Sequence, residues 1–321
     1  MNPGGPGGSG VAFALGAGPA LQNIINGSRV HDIISFDPRG VGFTEPAVSC
    51  SGSRATSTAW RIRVMEEGTL NSSNAALGRL WSMSHALGHT CASVGDESIH
   101  RYLTTASVAR DMLEIVEAHG RWRERQVAML REQADPKEQH SALYQYKSGG
   151  EKMQYWGFSY GTYLGSTFAS MFPDRIHRLI LDGVVDAEDY TAGLWYDNLI
   201  DSEKTLHSFY YHCARVGYPK CPLAGPKYTA TDVEKRVQDV VANLHFNPLT
   251  YSTSTMSEII TYSDVRSLIF TSLYSPLTTF ANLAKLLADV EKGDGRELSK
   301  LVELFYSFSC ADNDESRDPK L

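Results

Sequence analysis

Gly157-Phe158-Ser159-Tyr160-Gly161 sets a serine between two glycines where two differently patterned segments meet. Met153, Tyr155, Trp156 and Phe158 make an apolar run of strand length before it. Thr162, Tyr163, Leu164, Phe168 and Ala169 after it suit a helix. G-x-S-x-G at such a junction is the nucleophile elbow, which holds a serine hydroxyl on a strained turn above a parallel sheet. Gly157 and Gly161 are expected there because the helix packs too close to the strand for a Cβ. A glycine-rich turn carrying a surface serine is the plainer account of the pentapeptide alone.

Asn2-Pro3-Gly4-Gly5-Pro6-Gly7-Gly8-Ser9-Gly10 is the second piece. Such a run cannot pack a core, but its permissive backbone can turn N–H groups toward an anion, as an oxyanion hole requires. By itself it reads more readily as a flexible linker; paired with the elbow, the oxyanion reading prevails. Between the two, His31–Phe36 reads as a short buried strand and Asp37-Pro38-Arg39-Gly40-Val41-Gly42 as the turn leaving it. Asp37 and Arg39 are expected to form a local ion pair that braces the loop, a structural role.

The elements that must position these residues follow from periodicity. Helices are expected near 17–27, over 75–92 and from Val108 through Val116, with irregular chain to about residue 75. Residues 120–140 are charged and read as a solvated helical insertion. The elbow strand is expected over 151–158, its helix over 160–172 and another strand over 177–182. Alternating strands and helices imply a parallel sheet with ligands at the carboxyl ends of its strands. From about 190 to 305 amphipathic, aromatic-rich helices take over (231–245, 262–274, 276–292) without a convincing strand.

The chain has 321 residues, 42% hydrophobic and 21% charged, with a net charge of −7. These values are ordinary for a globular protein and give no reason to expect nucleic acid or an anionic membrane as a partner. No apolar run has membrane-spanning length, and no signal peptide opens the sequence. None of the five cysteines has metal-ligand spacing, so neither a metal nor an organic cofactor is expected. Asn26-Gly27-Ser28 and Asn71-Ser72-Ser73 are glycosylation sequons.

NPGGPGGSG, FDPRGVGFTEP, YWGFSYGTYLG and FPDRIHRLILDGVVD, in this order, resemble the secreted tripeptidyl aminopeptidases of the α/β-hydrolase superfamily, relatives of the prolyl aminopeptidases. Asp189-Tyr190 and Gly193-Leu194-Trp195 resemble the fungal members. Pro3, where the prolyl relatives carry histidine, agrees with the tripeptidyl branch. The resemblance covers most of residues 1–225. It implies an α/β-hydrolase fold, a mostly parallel sheet flanked by helices, with core residues 1–190, a helical lid inserted over 191–305 and the start of a further part over 306–321. It also implies Ser159 as nucleophile, the amides of Gly5 and Tyr160 as the oxyanion hole, a peptide substrate and an extracellular location. Disulfides Cys50–Cys91 and Cys213–Cys221 follow from the same resemblance, with Cys310 left over; five reduced thiols are the alternative.

A serine nucleophile needs a base and an orienting acid, and in this superfamily both follow the elbow, acid first. His177 is expected at the wrong end of a strand, and His207, His212 and His245 in helices or turns of the lid. Asp182 could serve as acid in a variant arrangement, but Asp182-Gly183 reads more simply as a turn. The resemblance places the true acid and histidine beyond residue 321 and the first strands before residue 1. The expectation is therefore a chain short at both ends, with an incomplete sheet and no competent triad. A carboxylesterase, a prolyl aminopeptidase or an inactive fragment are the competing readings. Glu188, Asp189 and Asp197 are candidates to hold a substrate ammonium group.

Overall fold

The computed structural model describes residues 1–27, 31–95, 98–133, 145–253 and 257–306. Cys310, Ser28 of the first sequon and most of 306–321 lie outside these. The chain forms two compact units: Met1–Cys50 with Cys91–Asn198, and Ser51–Thr90 with Leu199–Leu321. The linear division at residue 190 thus misplaces 51–90, which leaves the first unit and returns to it. Cys50 and Cys91 mark the two ends of that excursion and are joined by a disulfide, Cα atoms 4.7 Å apart.

In the first unit, α1 (Gly10–Ile25) starts where Ser9 accepts the Ala12 N–H, earlier than periodicity suggested. The helix α4 (Thr105–Gln133) is continuous, so the expected helix near 108–116 and the first part of the charged insertion are one element. The elbow lies between β1 (Met153–Phe158) and α5 (Tyr160–Met171). Strand β2 (Ile176–Asp182) returns parallel to β1, pairing Tyr155 with Leu179 and Phe158 with Asp182. Parallel neighbours need a crossover, which α5 supplies. On the other side of β1, Asn2 forms a single bridge at Gly157. The expected strand at 31–36 is not formed: those residues join no ladder of hydrogen bonds among the described residues.

Val108, Ala109 and Met112 of α4, Met153 and Tyr155 of β1, and Tyr160, Leu164 and Phe168 of α5 form the buried cluster of this unit. A polar network fixes the starts of both strands to α4. Glu117 is bonded to Arg175 and accepts from the Tyr146 hydroxyl, while the Arg175 Nε donates to the Glu151 carbonyl at 2.8 Å. Burial raises the Glu117 pKa, but these donors outweigh it and hold the carboxyl below its ordinary range.

The second unit contains α2 (Arg54–Glu67) and α3 (Ala76–Ala92). Helix α2 is a correction to the irregular chain expected there. Beyond the short α6 (Ala187–Ala192), which belongs to the first unit, come α7 (Ser202–Val216), α8 (Ala230–Phe246), α9 (Tyr262–Ser272), α10 (Pro276–Glu291) and α11 (Arg296–Tyr306). Thr229 with Asp232 and Thr261 with Asp264 form capping boxes that start α8 and α9. An antiparallel hairpin of β3 (Leu249–Ser252) and β4 (Ser257–Ile260) interrupts the helices, contrary to expectation. The alternation of Leu249, Tyr251 and Ile260 is too short to register as a strand pattern, and burial of Ile260 against the helical core decides it. The second disulfide, Cys213–Cys221, closes the end of α7 with Cα atoms 5.3 Å apart.

Candidate active site

Ser159 has φ 53° and ψ −127°, a backbone conformation that costs a non-glycine residue about 1–3 kcal/mol. Three contacts hold it there. Its N–H donates to the Asp182 carbonyl at 3.0 Å, and its carbonyl accepts from both the N–H and the hydroxyl of Thr162, at 2.8 and 2.7 Å. Thr162 Oγ1 also accepts from Val185 N–H at 3.0 Å, which ties the elbow to the chain leaving β2. The turn leaves Ser159 exposed at the N-terminus of α5.

The two elbow glycines have different neighbours. A Cβ on Gly157 would run into the Gly161 carbonyl and the Tyr155 ring, the strand–helix approach the motif predicts. On Gly161 it would meet the carbonyl of Asn2 at 2.7 Å and the Asn2 side-chain oxygen at 2.9 Å. The second glycine therefore makes room for the glycine-rich loop rather than for the strand.

Asn2, which sequence reasoning passed over, is the residue that joins loop to elbow. It is buried, donates its N–H to Trp156 O at 3.2 Å and accepts from Phe158 N–H at 3.0 Å. Its side-chain oxygen takes the Gly4 N–H at 2.9 Å. Gly4, at φ 92°, lies so close to the elbow that an added Cβ would come 2.9 Å from Ser159 Cβ and 2.8 Å from Tyr160 N. The only readable signal was an amide side chain at the head of the glycine run.

With the Gly4 N–H committed to Asn2 and the Gly8 N–H to the Gly4 carbonyl, the Gly5 N–H donates to no other described residue. Neither does the N–H of Tyr160, the first residue of α5. Helix N-termini favour negative charge, so the Tyr160 amide is suited to an anion. The Tyr160 hydroxyl meets Thr105 Oγ1 at 2.7 Å, and burial raises its pKa.

Asp37 and Arg39 both brace the loop, but not as an ion pair with one another. Asp37 accepts from the Ser9 hydroxyl at 2.7 Å, Val11 N–H at 3.0 Å and Phe43 N–H at 2.9 Å. Burial raises its pKa, but those hydrogen bonds outweigh it and the net shift is downward. With its oxygens already filled, Asp37 leaves Arg39 to form a two-pronged pair with Asp111 of α4, at 2.5 and 2.7 Å.

Among the described residues, no histidine hydrogen-bonds Ser159. His177 lies exposed in β2, and His207 and His212 lie in α7. His245 in α8 uses Nε2 on the Asn71 carbonyl at 3.0 Å. Asp182 contributes its backbone carbonyl to the elbow. The Asp189 carboxylate accepts from Tyr196 N–H at 3.1 Å and Asp197 N–H at 3.4 Å.

Residues 1–217 match the family of the alpha/beta hydrolase fold, more than half of the chain. The chain belongs to that family. It is 26% identical to the serine protease Hip1 of Mycobacterium tuberculosis over 309 residues, covering 95% of this chain and 51% of Hip1. It is 28% identical to the tripeptidyl aminopeptidase of Streptomyces coelicolor over 202 residues, covering 63% of this chain and 30% of that protein. With the putative hydrolase YuaR of Escherichia coli it shares 26% identity over 271 residues, 81% of this chain and 44% of YuaR. The chain spans about half the length of the curated relatives it matches.

Proposed function

We propose that this chain carries the nucleophile of a secreted serine exopeptidase that releases tripeptides, or other short peptides, from free N-termini. One observation supports the acyl-transfer chemistry above the others: Ser159 is held exposed at positive φ, and the N–H groups of Gly5 and Tyr160 donate to no other described residue. Ser159 Oγ attacks the scissile carbonyl carbon, and its proton passes to a base. The carbonyl oxygen, now carrying the negative charge, is received by the two amides. Collapse breaks the C–N bond, the amine takes the proton, and an acyl ester on Ser159 remains for water to hydrolyse. The base and its acid are expected from residues other than those described. The peptide class is suggested by the protease and aminopeptidase names of the relatives and by the resemblance, including its fungal branch. The extracellular location draws on the two disulfides.

A fluorophosphonate probe applied to the gene's full protein product should modify Ser159, as read by peptide mass spectrometry. The same preparation should cleave tripeptide nitroanilides with a free N-terminus and spare their N-acetylated forms. An unmodified Ser159 would overturn the nucleophile. Cleavage of simple esters alone would favour the carboxylesterase reading.

A further inference from the structure

An aromatic series begins at the first residue of α5, at the edge of the buried cluster, and runs outward from it. Tyr160 and Tyr163 lie on one side of the helix with ring centroids 6.0 Å apart. Tyr190 of α6 packs on both, at 5.7 and 5.0 Å, and Trp195 meets Tyr190 edge-on at 5.6 Å. The rings become more exposed outward: Tyr160 is 9% exposed and Trp195 41%.

Trp195 is also held at positive φ, 60°, in a conformation rare for a bulky residue. The clamp is Asp189. Its carboxylate takes the N–H groups of Tyr196 and Asp197, and its carbonyl takes that of Leu194, so the chain on both sides of Trp195 is tied to one residue. Asp189 is in turn set by the Asp186 side chain, which accepts its N–H at 2.7 Å. A strained backbone maintained by dedicated hydrogen bonds, presenting a large aromatic ring to solvent, is how binding platforms are built rather than cores.

We propose that Tyr163, Tyr190 and Trp195 form a shelf that receives an aromatic side chain of the peptide, that of the residue whose carbonyl Ser159 attacks. This rests on the acyl-transfer reading above. That residue's side chain is the one nearest the attacked carbon, and the shelf starts at the same helix N-terminus that supplies the Tyr160 amide. Edge and face contacts with Tyr190 and Trp195 suit a planar ring better than a methyl group. Asp189 is then a positioning residue, acting through Trp195.

The test compares Ala-Ala-Phe and Ala-Ala-Ala nitroanilides on the gene's full protein product, with Ser159→Ala, Trp195→Ala and Trp195→Phe. The wild type is expected to favour Phe in kcat/KM, and Trp195→Ala to lower the Phe-to-Ala ratio by roughly tenfold. Trp195→Phe should restore most of that ratio, which a loss of folding would not permit. If Ser159→Ala abolishes cleavage but the ratio is the same in all Trp195 variants, the shelf is wrong and the hydrolase reading stands. If Ser159→Ala cleaves as well as wild type, both fall.

Discussion

The unit holding Ser159 buries one modest cluster around Leu164 and Phe168, yet exposes Val184, Leu194, Trp195 and Tyr196 and keeps two non-glycine residues at positive φ beside the elbow and shelf. The helical unit of 51–90 with 199–306 buries a much larger set centred on Leu223, Val233, Ile260, Leu283 and Leu287, and starts two helices with capping boxes. The second unit also exposes large apolar side chains, Phe246 and Leu277 among them, and holds Lys227 at positive φ. In the first unit the strained residues are the ones assigned chemistry. Strain at a site persists when surrounding contacts over-determine it, and the Asp182, Thr162 and Asn2 hydrogen bonds do so here.

Ser159 gives the largest separation between the units. Ser159→Ala should lower kcat by on the order of 10⁴ or more while leaving the fold intact. Ser159→Gly removes the same hydroxyl but also relieves the turn, so it should melt above Ser159→Ala by an amount worth about 1 kcal/mol or more. Equal melting temperatures would mean that the elbow stores no strain.

Core truncation asks whether each unit has its own core. Phe168→Ala should cost roughly 3–5 kcal/mol and Leu287→Ala roughly 2–5 kcal/mol. Both side chains are fully buried, in different clusters. Hydrogen exchange should show protection lost in α5 and β1 for the first variant and in α8 to α10 for the second. Loss spread evenly over both would show one cooperative unit.

The disulfides close loops of different length, with sequence separations of 41 and 8. In the chain-entropy view, replacing Cys50 and Cys91 by serine costs about 4 kcal/mol and replacing Cys213 and Cys221 about 2.5 kcal/mol. Denaturant midpoints of the two double variants would check the order, and a larger loss from the shorter loop would refute it.

The smallest effect is expected at Asp37. Its folded pKa is lowered, so its stabilising hydrogen bonds are fully present above the ordinary carboxyl range near pH 4. They are lost as pH falls through the folded value. Asp37→Asn should therefore lower stability at neutral pH and flatten the acid limb of the stability curve. An unchanged limb would place the acid sensitivity elsewhere, with Glu117 the next candidate.

The elbow strand, its helix and the following strand were legible in the sequence because the apolar period changes at Ser159 and glycines stand where a Cβ cannot. Helices α8, α9 and α10 were legible for the same reason, a sustained amphipathic period. The missed helix α2 has a weakly apolar sequence, RATSTAWRIRVMEE, so periodicity gave little to read. The strand at 31–36 failed because an apolar run does not specify whether neighbours will pair with it.

By itself, then, the sequence determined the order of the glycine-rich loop, the elbow and the helical segment, since glycine spacing and hydrophobic period are local properties. Only the tertiary structure decided that Asn2 links loop to elbow and that Arg39 turns to Asp111 instead of Asp37. It also decided that Asp189 is bound to backbone amides and that residues 51–90 join the helical unit. Those outcomes depend on which groups meet across tens of residues, where each buried polar atom must find a partner, and no local pattern encodes that meeting.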